Sequence, residues 1–449
     1  MRTAVFSLAY FPFIGGAEVA VKEISGRIPA RDFFVLTNKF NRSWPSRERL
    51  GNCEIFRLGR GSDSNNYYGR FLEKILYVFR AWRKAEKLHK DRPFELIWAV
   101  MAAYGGVAAL LFKLRHPSVP LILTLQEGDS EGHILKRVGI FYPFWRLIFR
   151  KADYIQVISN YLAEFARRHG ANCQIDVVPN GVNLAKSEIP AWPAGRRNSK
   201  SLPVRQAGET NPKSQNSRLR QGFACLPARQ GGQANIKTII TTSRLVHKNG
   251  VDTLIDAVNL LKEPVRLEIL GDGPEYNKLK FKIENLKLAD RIQLLGHIEP
   301  EKIPAHLARA DVFVRPSRSE GLGNSFLEAM AAGLPVIGTK VGGIPDFLKE
   351  YNTNLRMGTN ATNGENGLFT EVDNPKDLAG KIAFLINNDE LCKKLGENGR
   401  KLVIGQYSWD NISKKMETIF NKSLEIRNLK LGINRLLIAT GIYPPDIGG

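Results

Sequence analysis

The sequence predicts an α/β protein of two doubly wound parallel-sheet units in tandem, and three observations carry that expectation. Strand-like apolar runs alternate with segments of helical periodicity, as in a parallel sheet covered on both faces. The alternation breaks off in a polar tract and then restarts. Glycine-rich or charged clusters stand where strands give way to helices, the edge at which open α/β sheets bind ligands.

In the first unit, 1–184, strands are expected at Thr3–Leu8, Phe33–Leu36, Glu54–Arg57, Glu95–Ala99, Leu121–Leu125, Tyr154–Ile158 and Ile175–Val178. Helices, including Gly16–Ile28 and Tyr68–His89, lie between them. The second unit, 236–431, is expected to hold strands Lys237–Thr242, Arg266–Leu270, Ile292–Leu294, Val312–Arg315, Val336–Gly338 and Gly367–Thr370. Leu96–Phe112 is uncharged but shorter than the roughly 20 residues a membrane span needs, and Gly105 and Gly106 interrupt it. It reads as a strand, a glycine turn and a helix.

At 449 residues the chain can bury two full cores, and 43% hydrophobic with 24% charged side chains excludes wholesale disorder. Cys53, Cys173, Cys225 and Cys392 are scattered, with no CxxC pair, which argues against a disulfide scaffold or a zinc ribbon. Met1 and Arg2 run straight into β-branched and aromatic residues, unlike a signal peptide, so a cytoplasmic location is expected. A net charge of +21 invites a nucleic-acid partner, but 185–235 holds nine basic and two acidic side chains, a third of the excess. Charge on a linker is not a binding face, and no nucleic-acid partner is expected.

That tract, 185–235, is rich in Ser, Gln, Asn, Gly, Pro and Arg and contains a near-duplicate, Leu202–Gly208 and Leu226–Gly232. It is expected to be an inserted, flexible, low-complexity linker. Arg435–Gly449 aligns without gaps to Arg2–Gly16 and shares its Arg, Tyr, Pro, Ile and both glycines. Residues 432–449 are therefore expected to be the truncated start of a second copy, unstructured for want of a sheet to join.

Four strand-end clusters hold the candidate chemistry. Phe13–Glu18 places Gly15 and Gly16 before a helix whose free amides and dipole suit a phosphate, although a plain turn fits equally well. Ser243–Gly250 carries Arg244, a bidentate phosphate partner, and Lys248, a point charge; a solvated basic loop is the alternative. Gly271–Pro274 reads as a tight structural turn. Arg315–Met330 is the richest: a strand end, a glycine loop, and a helix start near Asn324 or Ser325, both favourable N-caps. Amides of Leu322 to Ser325 would face a phosphate, and Glu320 and Glu328 would project toward one crevice to accept paired hydrogen bonds from sugar hydroxyls. Leu327, Ala329 and Met330 look buried, so a carboxylate at 328 needs a partner or a ligand.

Glu320-x7-Glu328, followed by Ala329–Ile337 and Val341–Pro345, closely resembles the retaining glycosyltransferases of the GT-B fold, glycosyltransferase family 4. The resemblance spans nearly the whole chain outside the tract and the tail. It runs through Gly15 and Gly16, Ala152–Ser159, Val178–Val182, Ser243–Leu245, Gly271–Pro274, Asn366–Leu368 and Tyr407–Trp409. It implies two Rossmann-like domains facing across a cleft, the acceptor side first and the donor side second, with a final helix returning to the first. It also implies transfer of a sugar from a UDP-, GDP- or ADP-linked donor to a hydroxyl of a glycan or lipid-linked acceptor, with no cofactor and no metal. The sequence has no Asp-x-Asp on a strand-end loop of the kind metal-dependent transferases use.

Carried over by position, Glu328 would hold the ribose hydroxyls and Glu320 the transferred sugar, with Gly321, Leu322, Gly323 and Asn324 beside it. Arg244 and Lys248 would neutralise the departing diphosphate, helped by the amides of Gly15 and Gly16. Gly271 would border the donor, and Leu295–Ile298, with Gly296, the base. Glu320, Arg244 and Lys248 are thus the catalytic candidates.

Two positions depart from the family pattern. Where the family usually has Lys before the glycine of the Arg-containing loop, this chain has Asn249, with Lys248 one residue earlier. Where it often has His, this chain has Gln126, which cannot exchange a proton at neutral pH. Glu127 and Asp129 then become the acceptor-side candidates alongside Gln126. The departures keep open a catalytically inactive nucleotide-sugar-binding homologue. A sugar-nucleotide epimerase of the same fold is a further alternative, against which the Glu-x7-Glu loop argues.

Tyr68–Lys90 interleaves Phe71, Leu72, Ile75, Leu76, Phe79 and Trp82 with basic residues, and Ile134–Lys151 is similar. Either suits an anionic membrane surface, here the inner membrane face. The alternative is an apolar stripe turned to the core with solvated charges opposite.

Overall fold

The computed structural model describes residues 1–12, 15–61, 67–184, 236–351 and 364–430. The tract 185–235, the tail 432–449 and the loop residues Phe13 and Ile14 lie outside the described residues.

Eight strands form the first sheet: β1 Arg2–Phe6, β2 Asp32–Asn38, β3 Arg47–Leu50, β4 Cys53–Leu58, β5 Leu96–Val100, β6 Leu121–Leu125, β7 Tyr154–Val157 and β8 Gln174–Val177. Their order is β3-β4-β2-β1-β5-β6-β7-β8, parallel throughout except for the β3–β4 hairpin. Six form the second: β9 Lys237–Thr242, β10 Val265–Leu270, β11 Ile292–Gly296, β12 Val312–Arg315, β13 Val336–Thr339 and β14 Gly367–Thr370. This sheet runs β11-β10-β9-β12-β13-β14, the doubly wound order with its switch point between β9 and β12. All thirteen expected strands are present within a few residues. The added one, β3, reads Arg-Glu-Arg-Leu and is exposed at the sheet edge, so it has no apolar run to betray it.

The central strands β1, β5, β6, β12 and β13 are buried at every residue, which is why they read as unbroken apolar runs. Strand alternation divides the core. Ala4 and Phe6 face the helices Tyr67–Asp91, Tyr104–Arg115 and Tyr142–Lys151, whereas Val5 faces the other side. There the helix Trp409–Lys430, last of the described chain, packs Ile412, Met416, Ile419 and Phe420 onto Phe33 and Trp98 of the first sheet.

An Ala-Asp pair precedes an inner strand in each sheet. The Asp153 carboxylate, before β7, accepts from the backbone amide of Leu121 at 2.7 Å and pairs with buried Lys113 at 2.6 Å. Asp311, before β12, accepts from the Thr238 amide at 2.7 Å. Each ties the start of one strand to the start of its neighbour. Asn366 is structural as well, bridging Phe347 O at 2.8 Å and the Lys349 amide at 3.0 Å.

The crossing between domains joins two distant motifs. The Val182 amide donates to Tyr407 O at 2.7 Å, and Val182 bridges to Ser408. A β-carbon on Gly181 would stand 2.7 Å from the Trp409 ring. Only glycine lets the chain leave the first domain beside the returning helix.

Candidate active site

The carboxyl ends of the two sheets face each other, and every candidate residue lies on a loop or helix start at one of them. From the first domain come Gly15 and Gly16 after β1, Gln126–Asp129 after β6, and Asn180 after β8. From the second come Ser243–Gly250 after β9, Gly271–Pro274 after β10, Gly296 at the end of β11, and Pro316–Gly323 after β12.

These loops touch. Lys248 Nζ lies 2.9 Å from Asp129 Oδ1 and donates to Gly128 O at 2.9 Å. Ser319 Oγ donates to the same carbonyl at 3.1 Å. A β-carbon on Gly321 would meet Glu127 O at 2.6 Å, so the loops pass each other at backbone distance. The Asn180 amide donates to Gln126 Oε1 at 3.0 Å and to Asn324 Oδ1 at 3.5 Å, linking three amides across both domains next to Gly16.

The second-domain wall of the crevice is built on β12. Arg315, nearly buried, forms an ion pair with Glu320 at 2.6 Å, donates to Ser325 Oγ at 2.6 Å, and donates to Asn249 Oδ1 at 2.9 Å. The helix Asn324–Ala331 begins after Gly323, whose φ of 97° makes it a left-handed cap without a side-chain hydrogen bond. The expected caps are thus replaced by glycine, because Asn324 turns to Asn180 and Ser325 to Arg315. The first amides of the helix are left without a side-chain acceptor. The carboxylate of half-buried Glu328 has no recorded hydrogen-bond partner among the described residues. Burial pushes its carboxyl up to about 7, with Arg315 pulling the other way.

Arg244 is exposed, and its guanidinium has no recorded partner among the described residues. Its loop is braced from below. Asn249 donates to Arg244 O at 2.6 Å, and the Leu245 amide donates to Asp272 O at 2.9 Å. Gly271 has a φ of 143°, and a β-carbon there would lie 1.8 Å from Ser243 O, so the Gly271–Pro274 turn is structural. Asn249 itself is buried, and its side chain is taken up by Arg244 O and Arg315.

On the first-domain side the two carboxylates differ. Asp129 is half-exposed; burial raises its pKa, but Lys248, with His133 and Arg137, outweighs this and holds it below the usual range. Glu127 is buried, its Oε1 accepting from the Ala102 amide at 2.8 Å while Oε2 has no partner among the described residues. Burial pushes it up to about 7, against the pull of backbone hydrogen bonds from Ala102 and others.

Sequence reasoning did not single out Arg315, Asn180 or Glu18. Glu18 folds back over Gly15, at the start of the helix Gly16–Gly26, and burial raises its pKa. The signal for Arg315 was present: a charge ending an otherwise apolar strand, Val312–Arg315. Among the described residues no group of His, Cys, Asp or Glu is placed to hold a metal ion, and no helix is long and apolar enough to cross a membrane.

Two parallel-sheet domains with fixed cations, uncapped helix amides and carboxylates gathered between their carboxyl edges define a class of two-domain transferases. Residues 14–186 match glycosyltransferase family 4, and residues 228–402 match the glycosyl transferases group 1 family. A GDP-mannose-dependent α-(1-6)-phosphatidylinositol monomannoside mannosyltransferase of Mycobacterium tuberculosis is 32% identical over 74% of this chain and 77% of its own. An uncharacterized glycosyltransferase of Methanocaldococcus jannaschii is 27% identical over 92% of this chain and 96% of its own. The sucrose-phosphate synthase structure from Thermosynechococcus elongatus superposes with a TM-score of 0.71 at 20% identity, covering 94% of this chain and 98% of that one. The chain belongs to glycosyltransferase family 4 and has the GT-B fold; it is a glycosyltransferase.

Proposed function

We propose that the protein transfers a sugar, with retention and without a metal, from a nucleotide-sugar donor to a hydroxyl of a glycan or lipid-linked acceptor. The observation that carries this reading is Glu328: a half-buried carboxylate with no recorded partner among the described residues, beside an uncapped helix start and within the field of Arg315. A cis-diol of ribose supplies the two hydrogens such a carboxylate lacks. Glu320 holds the sugar, flanked by Gly321, Leu322, Gly323 and Asn324, and Leu295–Ile298 borders the base.

As the bond from C1 to the phosphate oxygen breaks, positive charge grows on the sugar and negative charge on the diphosphate. Arg244, with the amides of Gly15 and Gly16, stabilises that leaving group; fixed donors aimed at developing charge supply the largest share of such catalysis. Lys248 joins them on release from Asp129. The acceptor hydroxyl forms the new bond to C1 and gives up its proton. Glu127, titrating near neutrality, suits that proton better than Asp129, which Lys248 keeps ionised. Gln126, oriented by Asn180, hydrogen-bonds the sugar or the acceptor.

The relative's acceptor, a phosphatidylinositol monomannoside, favours a lipid-linked acceptor here. On the helix Tyr67–Asp91 the core is formed by Tyr77, Val78, Ala81 and Ala85, while Phe71, Leu72, Ile75 and Phe79, four residues of the stripe read as either membrane-facing or core-facing, are exposed. Ile140 and Phe141 are 89% and 68% exposed, near Lys136 and Arg137. We assign these apolar and basic patches to contact with an anionic membrane surface. Vesicles of phosphatidylcholine with phosphatidylglycerol should sediment the protein at low salt, and phosphatidylcholine alone should not; equal recovery in the supernatant excludes the membrane.

The donor site is tested by thermal shift with UDP-, GDP- and ADP-sugars on the full chain and on Glu328→Ala. At 100 times its dissociation constant a ligand adds about 2.7 kcal/mol of stability. One nucleotide class should raise the melting temperature of the wild type and leave Glu328→Ala unmoved. A well-folded wild type indifferent to all three sinks the proposal.

A further inference from the structure

We propose that Arg315 is a positioning residue for sugar transfer, whose guanidinium sets the orientation of Glu320, and that the site requires its positive charge rather than its shape. The inference rests on the donor-site reading above.

The contacts of Arg315 separate it from a bracing arginine. Buried Arg57 pairs with Glu48 at 2.7 Å but spends its other contacts on backbone carbonyls, Phe11 O at 2.8 Å and Pro45 O at 3.2 Å, and so supports loop shape. The recorded partners of Arg315 are side chains instead, one from each segment that forms the donor-side wall. Asn249 comes from the loop after β9, Glu320 from the loop after β12, and Ser325 from the helix start. Among the described residues its Nε, like that of Arg57, is buried with no acceptor, and Glu320 Oε2 is buried in the ion pair without an aligned hydrogen bond. The unmet capacity therefore lies on the two charged groups next to the crevice.

Glu320 also bonds the Gly321 amide at 3.2 Å, so Arg315 and that amide together fix which oxygen it presents to a sugar hydroxyl. The geometry further shows where the charge can be moved. Asn249 Oδ1 lies 2.9 Å from Arg315, whose same nitrogen lies 2.6 Å from Glu320. A lysine at 249, longer than asparagine, brings its ammonium to that carboxylate.

The experiment compares affinities of UDP-, GDP- and ADP-glucose with those of the matching nucleoside diphosphates, by calorimetry on the full chain. In the wild type the sugar adds affinity through Glu320. Arg315→Met should remove about tenfold of that sugar-dependent increment while changing diphosphate affinity less. Adding Asn249→Lys to Arg315→Met should restore most of it, which repair of a structural brace would not do. An unchanged increment in Arg315→Met, or no recovery in a folded double variant, overturns the inference. Should Arg315→Met not fold, Arg315→Lys decides: retention of the increment supports a charge role, and its loss refutes one. A wild type that binds none of the six nucleotides brings down the donor-site reading itself, and this inference with it.

Discussion

Lys248 of the second domain reaches across the cleft to Asp129 of the first, Nζ to Oδ1 at 2.9 Å, with Gly128 O as a second acceptor. The pair joins residues 119 positions apart and holds the two sheet edges in register.

Both ends of this strut are half-exposed, so it holds conformation more than it stabilises the fold. Lys248→Ala should lower stability by less than about 1 kcal/mol. Small-angle scattering should nevertheless show a larger radius of gyration for the variant, and for the wild type at high salt. The Asp129 pKa is depressed in the folded state, so the strut's contribution is present above the unfolded value of 3.8 and fades as pH falls through the lower folded value. It is intact across the neutral range.

Gly321 controls the same closure sterically. A β-carbon there would sit 2.6 Å from Glu127 O, an unyielding backbone atom of the opposite domain. Gly321→Ala should keep each domain folded, with an unchanged circular dichroism spectrum, yet hold the cleft open by scattering. Raising ligand concentration should not restore the compact form.

Glu328 gives a pH dependence whose sign can be worked out. Its carboxyl lies near 7 when folded, against 4.5 unfolded, so the folded state holds the proton more tightly. Stability from this group therefore falls as pH rises from 4.5 to 7, and the penalty is fully present above 7. Glu328→Gln should melt higher than the wild type at pH 8, with the gap closing toward pH 4.5. Nucleotide affinity should show the opposite trend. It should weaken in the wild type as pH drops through about 7, and in Glu328→Gln be about tenfold weaker and flat with pH.

Phe420 tests the returning helix. Its ring is fully buried, with centroids 5.2 Å from Trp98 and 6.0 Å from Phe33, both in the first sheet. Phe420→Ala should cost about 3–5 kcal/mol of stability, read by urea denaturation. The loss should appear in the unfolding of the first domain, although position 420 follows the whole second domain in the chain.

Much of this was legible in the chain. The inner strands were visible because a parallel sheet buries both faces and so writes an unbroken apolar run; β3, a charged edge strand, carries no such mark. Gly15, Gly16, Arg244, Glu320 and Glu328 were visible because open α/β sheets put ligand loops at strand ends, where glycine and charge break the apolar pattern. The family resemblance pointed to the same positions.

Tertiary structure alone decided which side chains these loops give to one another. Nothing local predicts that Asn324 and Ser325 serve Asn180 and Arg315 instead of capping their own helix, or that Asn249 faces inward to Arg315. Propensity and periodicity report on a residue's own backbone and its near neighbours. The partners here come from other strand ends or from the other domain, and their hydrogen bonds form only once the two sheets have packed and met edge to edge.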